Sequence, residues 1–160
     1  MIPSDHFVRF YNEVFKYLEQ HGGLEEYFQA IAQKQEKFCL ETFKNDGLNG
    51  VHEYYQKIRH EENCGLDLNL TQNYLQLNMH ACPSLAKAMD NDAGASLRYC
   101  DHCSWLMLLC SKAGLYIIYD FMDPKQPQCQ SWIFDKLEQA KIKLKELQQK
   151  RGDATIKCNF

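Results

Sequence analysis

The side chains most able to do chemistry are cysteines and histidines concentrated between residues 80 and 129. His80 and Cys82 stand two positions apart. Alternate residues of a strand point to the same face, so a strand here would direct both side chains to one site. Pro83 begins a predicted helix directly after Cys82, and the positive end of a helix dipole favours a thiolate. Cys82 is therefore a candidate nucleophile or metal ligand, with a buried, inert cysteine as the alternative.

A second group lies in the run from Tyr99 to Cys103, where Cys100 and Cys103 bracket His102. Cysteines three apart on a helix share a face and can chelate one metal ion or form a redox pair. The sequence has no second CxxC and no HxxxH to complete a zinc finger. A thioredoxin-like motif would need a strand-helix-strand setting that the pattern here lacks. The alternative is one thiol packed in the core and the other partly exposed.

Cys129 opens the last clear strand and supplies a further thiol. A tetrahedral zinc site takes Cys and His ligands, often from separate elements. The sequence thus predicts that Cys82, Cys100, Cys103 and Cys129 converge as ligands of zinc. Without a metal, it predicts Cys82 as nucleophile with His80 or His102 as the general base.

The elements that must position these residues change from helical to strand periodicity near residue 62. Apolar spacing predicts helices over 4–21, with Ser4 as the cap, and over 24–44 and 49–59. Alternation predicts a hairpin over 66–79, and later segments indicate helices at 83–90 and 99–112 with a loop at 91–96 between them. Strands at 115–122 and 129–134 and a helix at 136–150 follow. The fold class is α+β: a helical scaffold (1–62), then a hairpin-helix-helix-hairpin-helix unit (63–150), within one domain of 160 residues.

Composition narrows the classes of function. A net charge of −3 gives no electrostatic footprint for nucleic acid. No apolar run approaches the ~20 residues that cross a bilayer, so no membrane partner is expected. The N-terminus carries charges throughout and lacks the apolar stretch of a signal peptide, which predicts a cytoplasmic protein. Its eight cysteines are then expected to be thiols. A homodimer is left open.

The order of motifs resembles the L-2-amino-thiazoline-4-carboxylate hydrolase-like family, and more distantly the four-vinyl-reductase type of small-molecule-binding domain. The resemblance covers roughly residues 75–135. It rests on a hairpin that ends in His80-x-Cys82-Pro83, on Cys100 in the next helix, on a strand near Asp120 and Asp123, and on the closing run 129–134. Two features depart from the family pattern: Pro127-Gln128 stands where Gly-Asp is common, and the CxxC with His102 is additional.

Two main functions are consistent with this pattern, and both have a small molecule as substrate or ligand. The first is a hydrolase that cleaves a C–N or C–S bond of a small heterocycle, either through a cysteine nucleophile or through water activated by zinc. The second is a non-catalytic sensor in which zinc is structural and an aromatic pocket holds the ligand. A third hypothesis is a protein-interaction module of the N-terminal helices with inert thiols.

Overall fold

Two helices, one of them kinked, make up the N-terminal part of the chain. The computed structural model describes residues 5–90, 94–123, 125–152 and 154–160. In chain order its elements are α1 Asp5–His21, α2 Leu24–Glu62, β1 Gly65–Leu70, β2 Tyr74–Ala81, α3 Pro83–Met89, a 3₁₀ helix Tyr99–Ser104, α4 Trp105–Lys112, β3 Tyr116–Asp120, β4 Cys129–Phe134, α5 Leu137–Arg151 and β5 Ile156–Cys158. The 3₁₀ helix is named the CxxC turn below. The predicted cap Ser4 and residues 91–93 of the predicted loop lie outside the described residues.

One antiparallel sheet joins the described strands in the order β1-β2-β4-β3-β5. Strand β4 pairs with β2 in the register Met79↔Cys129 and with β3 in the register Ile118↔Trp132. The two predicted hairpins are therefore neighbours in one sheet. This confirms the predicted α+β class with a helical N-terminal half.

Helix α2 covers the region predicted as two separate helices. Residues 24–62 form one helix with a kink at Gly47, whose φ of 55° and ψ of −128° are not helical. Glycine adopts a positive φ without the steric penalty that a Cβ would bring. Gly47, which lies between the two predicted helices, thus marks a bend in one helix rather than a break between two.

The sheet is covered on both faces. On one face, α2 and α4 bury the largest cluster, which includes Phe43, Val51, Leu106, Ile117 and Ile133. On the other face, α5 packs Ala140 and Leu147 against Ile118, Trp132 and Phe134. A separate cluster joins α1, the start of α2, α3 and the CxxC turn through Val8, Phe15, Phe28, Leu85 and Tyr99. The CxxC turn therefore sits where the N-terminal helices meet the sheet.

Residues 99–112, predicted as one helix, divide into the CxxC turn and α4. In the first part the amides of Tyr99 and Asp101 donate to the carbonyls of Ser96 and Arg98, which is the three-residue spacing of a 3₁₀ helix. The Tyr99 carbonyl meanwhile accepts from the ring of His102. Local side-chain bonds of this kind compete with the α-helical ladder. The difference matters because it sets the positions of Cys100 and Cys103 relative to each other.

Candidate thiol site

Cys82 lies at the junction of β2 and α3. It is the N-cap of α3, and its sulfur accepts a hydrogen bond from the Leu85 amide at 3.4 Å. Its own amide donates to the Pro127 carbonyl at 2.7 Å, which ties the segment before Cys129 to the start of α3. Burial raises the pKa of Cys82, and the Leu85 amide only partly opposes that rise. The thiol therefore stays protonated at neutral pH, although the sequence favoured a thiolate at this position.

The CxxC turn is anchored from two sides. The Tyr99 hydroxyl and the Ser84 hydroxyl of α3 are hydrogen-bonded at 2.7 Å. In α1, the fully buried Asn12 donates to the Gly94 carbonyl at 2.8 Å and accepts from the Ser96 amide at 2.8 Å. Helix α1, which the sequence pattern indicated only as scaffold, thus holds the segment leading into the CxxC turn.

The four predicted thiols lie close enough to affect one another's ionisation. Burial, with smaller contributions from charge on Cys103 and Cys82, raises the pKa of Cys100 to about 12. Burial likewise raises the pKa of Cys129, with contributions from Cys103, Cys82 and Cys100. Each of the four cysteines is half-buried as a residue. Three separated chain segments therefore bring their thiols to one region.

His102 and Cys103 form the one cysteine–histidine contact described in this region. The Cys103 sulfur lies 3.6 Å from Nε2 of His102, while Nδ1 of the same ring contacts the Tyr99 carbonyl. A carbonyl oxygen only accepts, so Nδ1 must carry the proton. Burial lowers the pKa of His102, which keeps the ring neutral and leaves a lone pair on Nε2 for the thiol proton.

Two aromatic rings fix the orientation of this imidazole. Phe15 of α1 lies 5.7 Å from the His102 ring, and Tyr99 lies 5.2 Å from it in an edge-on arrangement. Burial raises the pKa of Cys103 to about 12, with the charges of Glu62 and Asp101 adding to the rise. The resting pair is therefore a neutral thiol beside a neutral imidazole.

His80 lies apart from this arrangement. Its Nε2 is 3.4 Å from a carboxylate oxygen of Asp67 on the neighbouring strand, and 53% of its side chain is exposed. Strand β2 ends at Ala81, so Cys82 no longer follows the alternation that would place both side chains on one face. Among the described contacts, none joins His80 to Cys82. The predicted role of His80 as the general base is therefore not supported by a contact with this thiol.

Sequence reasoning missed several neighbours of the thiols. Glu62, at the end of α2, has a pKa raised mainly by burial, and its charge raises the pKa of Cys103, Cys82 and Cys64. Cys64, which no spacing in the sequence links to the other thiols, has a raised pKa to which charge on Cys82 contributes. The β1–β2 register explains the approach, because Gly65 pairs with Ala81. A Cβ at Gly65 would lie 2.7 Å from that of Ala81, so glycine permits this close crossing.

Tyrosines form another part of these surroundings. Burial raises the pKa of Tyr55 and Tyr119 well above the ordinary value, and charge on Cys103 and Cys129 adds to both rises. Their hydroxyls are thus protonated donors near the thiols at any physiological pH. No spacing in the sequence links Tyr55, far away on α2, to the CxxC turn.

Comparisons with protein-family models, with curated proteins and with solved structures find no match for this chain. The resemblance drawn from the motifs therefore stays a prediction.

The geometry bears on metal binding in two ways. Four thiols are a suitable donor set for zinc. Within residues 5–90, 94–123, 125–152 and 154–160, however, no three His, Cys, Asp or Glu side chains are arranged so that they could hold a metal ion. The thiols are neighbours without forming a ligand shell. Zinc bound by Cys82, Cys100, Cys103 and Cys129 stays a prediction.

A surface groove of about 220 Å³ runs along another side of the CxxC turn. It is lined by Asp101, Ser104 and Trp105 of this region, by Arg98, and by residues of α2 and β5, but by none of the four thiols. Asp101 is bonded to Arg98 and, at 2.6 Å, to Lys157. The groove therefore lies beside the thiol site and is separate from it.

None of the described helices is both long and apolar enough to cross a membrane.

Proposed function

We propose that this protein is a hydrolase of a small molecule in which Cys103 is the nucleophile and His102 its general base. The observation that carries the proposal is the 3.6 Å contact between the Cys103 sulfur and Nε2 of His102, with Nδ1 held by the Tyr99 carbonyl. A nucleophile within reach of a base that is oriented by a third group is the usual arrangement of covalent catalysis.

The neutral resting state suits this division of roles. A thiol with a pKa of about 12 is a weak nucleophile until a base removes its proton. The unprotonated Nε2 of His102 is positioned to take that proton as the sulfur attacks. The ring is then an imidazolium whose Nδ1 proton still meets the Tyr99 carbonyl. This is general-base catalysis, and it needs no preformed thiolate.

The reaction that follows is a two-step cleavage of a C–N or C–S bond. The Cys103 sulfur bonds to the carbonyl carbon of the substrate, and its proton passes to Nε2 of His102. The substrate's C–N or C–S bond breaks, and the leaving nitrogen or sulfur takes the proton back from His102. Water then attacks the thioester, its proton passes to Nε2, and the Cys103 sulfur recovers that proton as it leaves.

The surroundings favour a small substrate. The four cysteines are half-buried residues, and burial is the largest cause of their raised pKa values, so the thiols lie in largely dehydrated surroundings. Tyr55 and Tyr119 supply protonated hydroxyls and ring surface nearby. Small-molecule sites are typically apolar with a few polar groups. The proposed partner is thus a small molecule, and a homodimer and a cytoplasmic location stay predictions.

The second candidate is a ligand-binding or sensor domain with structural zinc on the four predicted cysteines. The observation that favours it is the mutual effect of the thiols, because charge on Cys103, Cys82 and Cys100 each raises the pKa of Cys129. Bringing thiolates together is costly unless a cation compensates them, and zinc does so by replacing their protons. The side chains would have to reorient to complete the ligand shell.

Two measurements on one set of variants separate the candidates. The probe is p-nitrophenyl acetate, a small activated ester, and zinc per chain is measured in the same preparations. The hydrolase proposal expects Cys103→Ala to lower ester cleavage by at least tenfold, with Cys100→Ala within threefold of the wild type as the control from the same turn. Equal rates for Cys103→Ala and the wild type would contradict it. About one zinc per chain, lost equally in both variants, would favour the sensor.

A further inference from the structure

The CxxC turn has a geometry that differs from that of an α-helix. Residues 99–104 form a 3₁₀ helix, and in such a helix positions i and i+3 are eclipsed. Cys100 and Cys103 are three apart, so their side chains leave the backbone in the same direction. With a rise of about 2.0 Å per residue, their Cα atoms are about 6 Å apart. That Cα separation lies within the range of roughly 4.4–6.8 Å that disulfides span. The eclipsed Cβ atoms are also about 6 Å apart, so closing the bridge requires the turn to adjust until they approach to roughly 3.5–4.5 Å.

The two thiols also differ in their surroundings. Cys103 contacts Nε2 of His102 at 3.6 Å, which provides a base for its proton. For Cys100, charge on Cys103 is the largest cause after burial of its raised pKa, in keeping with their eclipsed positions in one turn. Cys103, which has a base for its proton, is thus expected to attack first, and Cys100 is expected to attack second.

The remaining cluster cysteines are held by other elements. The Cys82 sulfur accepts the Leu85 amide at the cap of α3. Cys129 lies within the β2–β4 ladder, opposite Met79. Bridging either of them to Cys103 joins separate elements, whereas bridging Cys100 to Cys103 involves a single turn.

We propose that Cys100 and Cys103 are a redox-active pair that closes reversibly into a disulfide when it meets a small disulfide oxidant of the glutathione type. Cys103 gives its proton to His102 and attacks one sulfur of the oxidant, which forms a mixed disulfide and releases one thiolate. Cys100 loses its proton and attacks the Cys103 sulfur, which releases the second thiol. The protein loses two electrons and two protons, and the oxidant becomes two thiols.

This inference goes beyond the proposed hydrolase and does not depend on it. The bridge forms from the geometry of the turn whether or not Cys103 also attacks a substrate carbon. If Cys103 is the nucleophile, the disulfide removes it from catalysis. The protein would then be inactive under oxidising conditions and recover on reduction.

The test is a redox titration of the full chain with mixtures of reduced and oxidised glutathione. Each sample is quenched in acid, labelled with N-ethylmaleimide under denaturing conditions and digested with trypsin. Cleavage after Arg98 and Lys112 gives a peptide of residues 99–112, which contains Cys100, Cys103 and Cys110. Cys110 is fully buried and serves as the internal reference.

The expected result is that the peptide changes from three labels to one as the buffer becomes oxidising, with the single label on Cys110. Dithiothreitol should restore three labels. In Cys100→Ser, glutathione should stay attached to Cys103, because the resolving thiol is absent. Three labels throughout the titration would overturn the proposal, as would a bridge that joins this peptide to the one with Cys82 or Cys129. The readout is mass alone, so loss of esterase activity would not affect it.

Discussion

Two cysteine–histidine pairs stand close together in the sequence, and only one of them is a pair in space. His102 and Cys103 are neighbours in the CxxC turn, where the imidazole is enclosed by Phe15 and Tyr99 and faces the thiol. His80 and Cys82 straddle the end of β2, where the ring turns to Asp67 and the sulfur caps α3. Spacing is informative only while both residues remain in the same regular element.

The largest expected effect comes from replacing each of the two histidines, separately, with alanine. We expect His102→Ala to lower cleavage of p-nitrophenyl acetate by about 100-fold, at the low end of the range for loss of a general base. His80→Ala should stay within twofold of the wild type, because its ring lies against Asp67. Steady-state kinetics with both variants check this. A larger loss in His80→Ala than in His102→Ala would reverse the comparison.

Asn12 tests whether α1 positions one pair and not the other. Asn12→Ala should lower the free energy of unfolding by about 1–3 kcal/mol, because the half-buried Gly94 carbonyl and the buried Ser96 amide lose their partner. Urea denaturation measures the change. Asn69→Ala on the exposed side of β1 is the matched control, with an expected change of less than about 0.5 kcal/mol. Equal stability of Asn12→Ala and the wild type would show that α1 does not anchor the segment leading into the CxxC turn through Asn12.

Cys82 sharpens the contrast between a capping thiol and a reacting thiol. Serine is among the preferred N-cap residues, so Cys82→Ser should keep the bond to the Leu85 amide. We expect it to preserve the free energy of unfolding to within about 0.5 kcal/mol. Cys103→Ser should fold equally well but lose esterase activity. Loss of activity in Cys82→Ser at full stability would instead make Cys82 the reacting group.

The smallest expected effect is a pH dependence of stability at Asp101, in the same turn. Burial alone would raise the pKa of Asp101, but hydrogen bonds from Lys157 and Arg98 outweigh it and hold the pKa below its ordinary value. A carboxyl with a lowered folded-state pKa stabilises the protein above its unfolded pKa, and this contribution is lost as the pH falls through the folded value.

Asp101→Asn should therefore be less stable than the wild type at pH 7, with the gap closing below about pH 4, the ordinary range of an aspartate. Urea denaturation at a series of pH values measures both curves. Asp67→Asn, beside His80, is the control from the other pair. Parallel wild-type and Asp101→Asn curves throughout the acid range would show that these hydrogen bonds do not stabilise the folded state.

Much of the fold follows from periodicity. Alternating leucines gave the β1–β2 hairpin, and the run from Cys129 to Phe134 is a strand with the predicted bounds. The strand β5 was missed, since three residues are too few to show a period. Strand β5 is held at the sheet edge by contacts with β3. The buried Asp120 of β3 accepts hydrogen bonds from Arg151 at 2.8 Å and from Thr155 at 3.1 Å. Such an anchor is visible only once the chain has folded.

The site was less predictable than the fold. Convergence of the cysteines at 82, 100, 103 and 129 was a prediction from their residue type and the predicted elements. The choice of 3₁₀ over α geometry in the CxxC turn depends on which carbonyl each amide reaches, and apolar spacing does not record that. Glu62 and Cys64 approach through the end of α2 and the crossing of Gly65 over Ala81. These contacts join residues that are distant in the sequence, so no local sequence pattern predicts them.

The most direct test of the central claim is to trap the acylated protein. Wild-type protein is mixed with p-nitrophenyl acetate, quenched in acid within the first turnover and digested with trypsin. If Cys103 reacts with His102 as its base, one acetyl group will be found on Cys103 in the 99–112 peptide, and His102→Ala will carry far less of it at the same time point. Acetyl groups on Cys82, or none on any cysteine while ester is consumed, would contradict the account.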